Sequence, residues 1–148
     1  MITVEVEIFT DGACRGNPGP GGWAALLRKG THERLINGAE NATTNNRMEL
    51  RAAIEGLRAL SRTTQVSITT DSQYVRQGVT EWMKRWKANG WKTTSRGSVK
   101  NKDLWVELDE LNEYHAVQWF WVKGHSGHEE NERVDHAANE AIDDLLKD

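Results

Sequence analysis

The chain has 148 residues, a net charge of −3, 37% hydrophobic and 28% charged residues, and a single cysteine. That length suits one domain with its own hydrophobic core, and the lone Cys14 excludes a disulfide framework or a multi-cysteine zinc centre. Met1-Ile2-Thr3-Val4-Glu5 lacks the basic and apolar stretches of a signal peptide, and no apolar run approaches the ~20 residues that span a bilayer, so a cytoplasmic protein is expected.

Val4, Val6 and Ile8 alternate with polar residues, which predicts a half-buried strand over residues 4–10, closed by Asp11. Gly16-Asn17-Pro18-Gly19-Pro20-Gly21-Gly22 reads as a turn, too rich in Gly and Pro for regular structure. Strands follow at 23–28 and 33–39 around a turn at Gly30-Thr31, giving an antiparallel meander. The period then changes. Leu50, Ala53, Ile54, Leu57 and Leu60 keep helical spacing over 47–60, with Thr and Asn upstream to cap and Glu49 in the opening turn. A strand at 66–70 is closed by Asp71, a short helix passes through Tyr74-Val75-Arg76, and a helix over 80–88 stops at Asn89-Gly90. Helix 104–113, strand 117–122 and helix 131–146, with Asp135 near its start, complete the order. The sum is an α/β fold: a five-stranded mixed sheet flanked by helices, in one domain spanning 1–148. If the first strand pairs in parallel with 66–70, Asp11 and Asp71 become neighbours at the sheet edge where α/β sites gather.

Each acid also has an ordinary role. Asp11 before Gly12 suits a turn, Asp71-Ser72 a helix cap, Glu49 a capping box with Asn46, and Asp135 a helix dipole. Convergence of Asp11, Glu49, Asp71 and Asp135 on one edge would instead make a carboxylate pocket that only hard divalent cations neutralise. The charge distribution adds a second signal. Lys84, Arg85, Lys87, Lys92, Arg96, Lys100 and Lys102 occur with no acid among them, so this segment carries +7 and the remainder −10. Trp82, Trp86 and Trp91 interleave with these cations, as in a surface that binds nucleic acid. Trp82 and Trp86 stand one helical turn apart and form a stripe with a wet side. Trp119 and Trp121, alternating around Phe120, read mainly as core.

Phe9-Thr10-Asp11-Gly12, Thr44-Asn45-Asn46-Arg47-Met48-Glu49-Leu50, Thr70-Asp71-Ser72-Gln73-Tyr74-Val75 and Trp121-Val122-Lys123-Gly124-His125-Ser126-Gly127-His128 resemble the motifs of type 1 ribonuclease H, and Glu132-Arg133-Val134-Asp135 continues the pattern. The resemblance runs in order over nearly the whole chain and is closest to bacterial members. It implies a ribonuclease H-like fold and an endoribonuclease that cuts the RNA strand of an RNA/DNA hybrid, leaving 5′-phosphate and 3′-hydroxyl ends. It further implies two Mg²⁺ ions, with Mn²⁺ able to substitute, held by Asp11, Glu49, Asp71 and Asp135, with Asp11 bridging. Four acids without Cys or His suit Mg²⁺, and two ions suit phosphodiester hydrolysis.

By the same resemblance His125 assists proton transfer or product release, while a zinc pair with His128 is the rival reading. Cys14, Asn17, Gln73 and Glu49 correspond to contacts with the RNA strand, and Thr44, Asn45, Asn46 and Asn101 to contacts with the DNA strand. Residues 80–102 resemble a basic protrusion in which Trp82 and Trp86 line the deoxyribose groove and Lys84, Arg85 and Lys87 meet phosphates. No hybrid-binding module is expected before the first strand, nor a long tail after the last helix. A monomer with no obligate protein partner and no membrane contact is expected. Two alternatives remain: another nuclease of the same superfamily, of integrase or resolvase type, and a catalytically silent hybrid-binding domain.

Overall fold

The computed structural model describes residues 4–92, 99–123 and 128–147. β1 (Val6–Cys14), β2 (Gly19–Lys29) and β3 (His32–Thr43) form the antiparallel meander, and β4 (Gln65–Thr70) and β5 (Ala116–Trp121) extend it in parallel, giving the order β3-β2-β1-β4-β5. α1 (Asn45–Arg58) is the crossover from β3 to β4. It begins where Thr44, in extended conformation, accepts a hydrogen bond from the Arg47 N–H at 3.2 Å. The cap is therefore Thr44 rather than Asn46, and Glu49 lies in the second turn, outside a capping box.

Hydrophobic periodicity builds the core on both faces. Leu50, Ala53, Ile54 and Leu57 of α1 pack on Ile8, Ala25, Val66 and Ile68 of the sheet. α4 (Lys102–Tyr114) joins that layer through Leu104, Trp105 and Leu108. On the opposite face α5 (Glu129–Leu146) sets Val134, Ala137 and Ala138 against Ala24 and Leu26. Trp119 and Trp121 stack with ring centroids 5.6 Å apart against the α1 side, half-buried, while Phe120 points the other way and is half exposed.

Two departures from sequence expectation have clear causes. Gly19 to Gly22 belong to β2 rather than to a turn, and β1 continues through Asp11 to Cys14 beside them. Glycine is required there because a Cβ on Gly22 would strike the Ala138 carbonyl of α5, and one on Gly21 would come within 2.9 Å of the Ala13 carbonyl. Residues 73–88 form one continuous path, α2 (Gln73–Gln77), a π-helical turn (Gly78–Trp82) and α3 (Met83–Ala88), with no break before Thr80. A Cβ on Gly78 would fall inside the Trp105 ring, so the wide turn and its glycine make room for that indole. Among the described residues, no helix is long and apolar enough to cross a membrane.

Candidate active site

The acids are placed by a fork in the sheet. β1 pairs with β4 only from Val6↔Val66 to Phe9↔Thr69, whereas its pairing with β2 runs on through Asp11↔Ala24 to Cys14↔Gly21. Asp11 thus sits inside β1, beyond the last parallel pair, instead of closing the strand. Asp71 follows the last residue of β4. Ser72, not Asp71, caps α2, with its Oγ accepting from the Val75 N–H at 3.1 Å. Gly12 brings in the third acid: a Cβ there would lie 2.5 Å from the Met48 carbonyl carbon and 2.9 Å from its oxygen. Only a glycine lets the second turn of α1 close on β1 with Glu49 beside Asp11.

Carboxylate oxygens of Asp11, Glu49 and Asp71 lie within 4.8 Å of one another. Asp135, exposed in the second turn of α5, lies near enough to Asp11 for its carboxylate to hold the Asp11 pKa up. The first-turn acids of α5 are Glu129, Glu130 and Glu132, so the dipole role falls to them. All four predicted acids therefore meet at one edge, three clustered and one on the rim.

Their electrostatics are unfavourable without a counter-charge. Burial, the negative charge of Asp71, and a hydrogen bond with Asp135 together with that group's charge push Asp11 up to about 8, against a smaller opposing pull from the Gly12 N–H. That N–H donates to Asp11 Oδ1 at 3.0 Å. Burial first, then the charges of Asp11 and Asp71, hold Glu49 well above the usual carboxylate range. Glu49 Oε1 is buried with no hydrogen-bond partner, an expensive state for an acceptor. An orphaned carboxylate oxygen in an all-oxygen donor set fits a hard divalent cation, with no Cys or His in the cluster among the described residues. Cys14 is half-buried and its thiol donates weakly to the Thr43 carbonyl at 3.4 Å.

The residues expected to read nucleic acid border this edge. Asn17 Oδ1 accepts from the Asn45 N–H at 3.0 Å, tying the turn after β1 to the start of α1, where Thr44, Asn45 and Asn46 follow one another. Gln73 is exposed at the start of α2, two residues beyond Asp71. Asn101 adopts a left-handed conformation (φ 60°); its Nδ2 donates to the Tyr74 hydroxyl at 3.0 Å and its Oδ1 accepts from Arg47 at 3.2 Å. Arg47 in turn forks onto Asp103 at 2.7 and 2.9 Å. Arg47 and Tyr74 were missed as site residues, although both lie inside the quoted motifs.

Trp82, Trp86, Trp91 and Trp105 form a chain of rings with centroids 5.4–5.9 Å apart, joined by Tyr74. A cavity of about 360 Å³ opens on Trp82, Trp86, Arg85, Lys92 and Lys100. Lys84 is exposed. Lys87 differs from its neighbours, because its Nζ is held by Glu113 at 2.5 Å and Asp109 at 3.2 Å on α4. His125, with Gly124, Ser126 and Gly127, lies outside the described residues, as does Arg96.

A family model described as RNase H matches residues 3–143. A protein named Ribonuclease H from Hydrogenovibrio crunogenus is 66% identical over 141 residues, covering 95% of this chain and 97% of the relative. Among solved structures, LC9-RNase H1, described as a type 1 RNase H with the type 2 active-site motif, gives a TM-score of 0.86 at 36% identity, covering 97% of this chain and 75% of that one. LC11-RNase H1, solved in complex with RNA/DNA hybrid, shares the fold at a TM-score of 0.66 and 23% identity, covering 96% and 99%.

Proposed function

Since the chain belongs to the RNase H family, we propose that it is a ribonuclease H, an endoribonuclease that hydrolyses the RNA strand of RNA/DNA hybrids to 5′-phosphate and 3′-hydroxyl ends. The observation that carries this reading is the meeting of Asp11, Glu49 and Asp71 within 4.8 Å, with the Asp135 carboxylate near enough to act on Asp11. The ligands are those four carboxylates and the cofactor is a pair of Mg²⁺ ions, with Mn²⁺ as the substitute. When bound, such ions supply a deprotonated water and neutralise charge at the phosphorus and the leaving oxygen.

The remaining work belongs to the chain itself. Glu49 and Gln73, with Cys14 and Asn17 in the segment after Asp11, test for a 2′-hydroxyl, the group that separates RNA from DNA. Thr44, Asn45, Asn46 and Asn101 hold the DNA strand, and the Tyr74–Arg47 pair keeps the Asn101 amide oriented. Trp82 and Trp86 offer apolar faces to sugars while Lys84 and Arg85 meet phosphates. His125 assists proton transfer or product departure, so its loss slows turnover without abolishing it. The protein acts as a cytoplasmic monomer, with one catalytic domain and a basic, Trp-rich extension at about 80–102.

A strand-labelled cleavage assay tests the reading. Each of RNA/DNA hybrid, RNA/RNA, DNA/DNA and single-stranded RNA is incubated with Mg²⁺ and with EDTA. Magnesium-dependent internal cutting of only the hybrid's RNA strand is expected. Cutting of DNA would move the chain to the integrase or resolvase class, and binding without cutting would make it a silent hybrid-binding module.

A further inference from the structure

Asp135 is the exposed member of the acid set. Burial and backbone fix Asp11 and Glu49, but Asp135 rides on the wet side of α5, facing three other acids that repel it. A short side chain in that position needs something to keep it turned inward.

A chain of hydrogen bonds leads to it. Asn139, one turn further along α5, donates from Nδ2 to the Asp135 carbonyl oxygen at 3.0 Å and to Asp135 Oδ1 at 3.5 Å. The carbonyl oxygen and Oδ1 of Asn139 accept from Arg15 Nη2 at 3.3 and 3.4 Å. Arg15 Nη1 pairs with Asp143 Oδ1 at 2.7 Å, anchoring the guanidinium to α5. Arg15 itself belongs to the turn after β1 that also carries Asn17. An exposed ion pair of this kind is worth little alone. What gives it weight is that the chain ends on a carboxylate of the acid set.

The chemistry of the link is selective. A guanidinium only donates and a carboxylate only accepts, so the connecting side chain must accept at one end and donate at the other. A carboxamide does both. An acid at 139 would repel Asp135, and a base there would repel Arg15.

We propose that Arg15 and Asn139 are positioning residues that hold the Asp135 carboxylate towards Asp11, setting the turn after β1 and the metal site together. This rests on the metal-dependent reading above. The test is Mg²⁺ binding to the substrate-free protein by isothermal titration calorimetry, for wild type, Asn139→Ala, Arg15→Ala and the double variant. Melting in EDTA is run alongside to register any purely structural effect.

Asn139→Ala should weaken Mg²⁺ binding roughly tenfold, as lost support of a metal ligand commonly does. Arg15→Ala should weaken it less, and the double variant should be no worse than Asn139→Ala, because both act along one chain. Turnover of Asn139→Ala should recover as Mg²⁺ is raised, with the KM for hybrid unchanged. Isotherms superimposable on wild type, or effects that simply add, would overturn the proposal. A wild-type protein that binds no Mg²⁺ would instead overturn the metal-dependent reading beneath it.

Discussion

Replacing Asp11 with Asn should stabilise the metal-free fold while abolishing turnover. Asp11 titrates at about 8 in the folded protein against the usual 3.8. Because the folded value is raised, the folded state holds more protons than the unfolded chain between those values, and stability falls as pH rises through that window. At ~1.4 kcal/mol per pH unit over roughly four units, the upper limit of the loss by pH 8 is about 5 kcal/mol. The Asn side chain keeps an oxygen for the Gly12 N–H and offers an N–H towards Asp135, but solvent at the rim already screens part of the repulsion that the change removes. A net gain of about 2–3 kcal/mol at pH 8 is therefore expected. The assay is urea unfolding of both proteins in EDTA from pH 4 to pH 8. The gap should be near zero at the acid end, widen towards pH 8, and shrink when Mg²⁺ is added, since the ion stabilises only the protein that binds it. A variant no more stable than wild type at pH 8, or a gap that does not change with pH, would refute the reasoning.

Three further outcomes follow from the same geometry. Gly12→Ala forces a Cβ against the Met48 backbone, so unfolding free energy should drop by about 1–3 kcal/mol; hybrid cleavage should fall with it as Glu49 is displaced. Changing Lys84, Arg85 and Lys87 together to Ala should raise KM and flatten its salt dependence while sparing kcat. Because Lys87 is paired with Glu113 and Asp109, most of that effect should come from Lys84 and Arg85 when each is changed singly. His115 is buried, its Nδ1 accepting from the Thr64 N–H at 3.1 Å, and burial holds its pKa below the usual 6.5 against a weaker opposing hydrogen bond to the Leu57 carbonyl. Its contribution is thus complete above about pH 6.5 and lost as pH falls, when the unfolded chain takes the proton first. Wild type should lose more stability than His115→Asn between pH 7.5 and 5 by chemical denaturation; equal losses would contradict this.

The antiparallel meander, the parallel pairing of β1 with β4 and the meeting of the acids were legible because they rest on strong local signals: alternation in β1, helical spacing in α1, and an acid directly after β4. The continuation of β1 past Asp11 and the place of β5 beside β4 were not. What escaped was set by contacts distant in sequence. Nothing local marks Gly21 and Gly22 as strand, since the need for glycine comes from Ala138 of α5 and from the Ala13 carbonyl. Asn46 and Thr44 are equally good caps on paper, and only the extended backbone at Thr44 decides between them. Lys87 looks like its cationic neighbours until α4 presents Glu113 and Asp109 to it. Asn139 could have been found from its spacing, four residues after Asp135, but its partner Arg15 lies at the other end of the chain.

The fork between β1 and β4 has a mechanical meaning. Repulsion between Asp11 and Asp71 pushes two strands apart, yet it acts past Phe9↔Thr69, where the rungs between them have already ended. On its far side Asp11 is riveted to β2 by rungs that continue to Cys14, so the push meets a stiff wall rather than a zipper it could open. Crowding of like charge thus falls where no β1–β4 rung remains to be broken. A cation placed among those carboxylates would relieve the crowding without any rung of the sheet having to break or re-form.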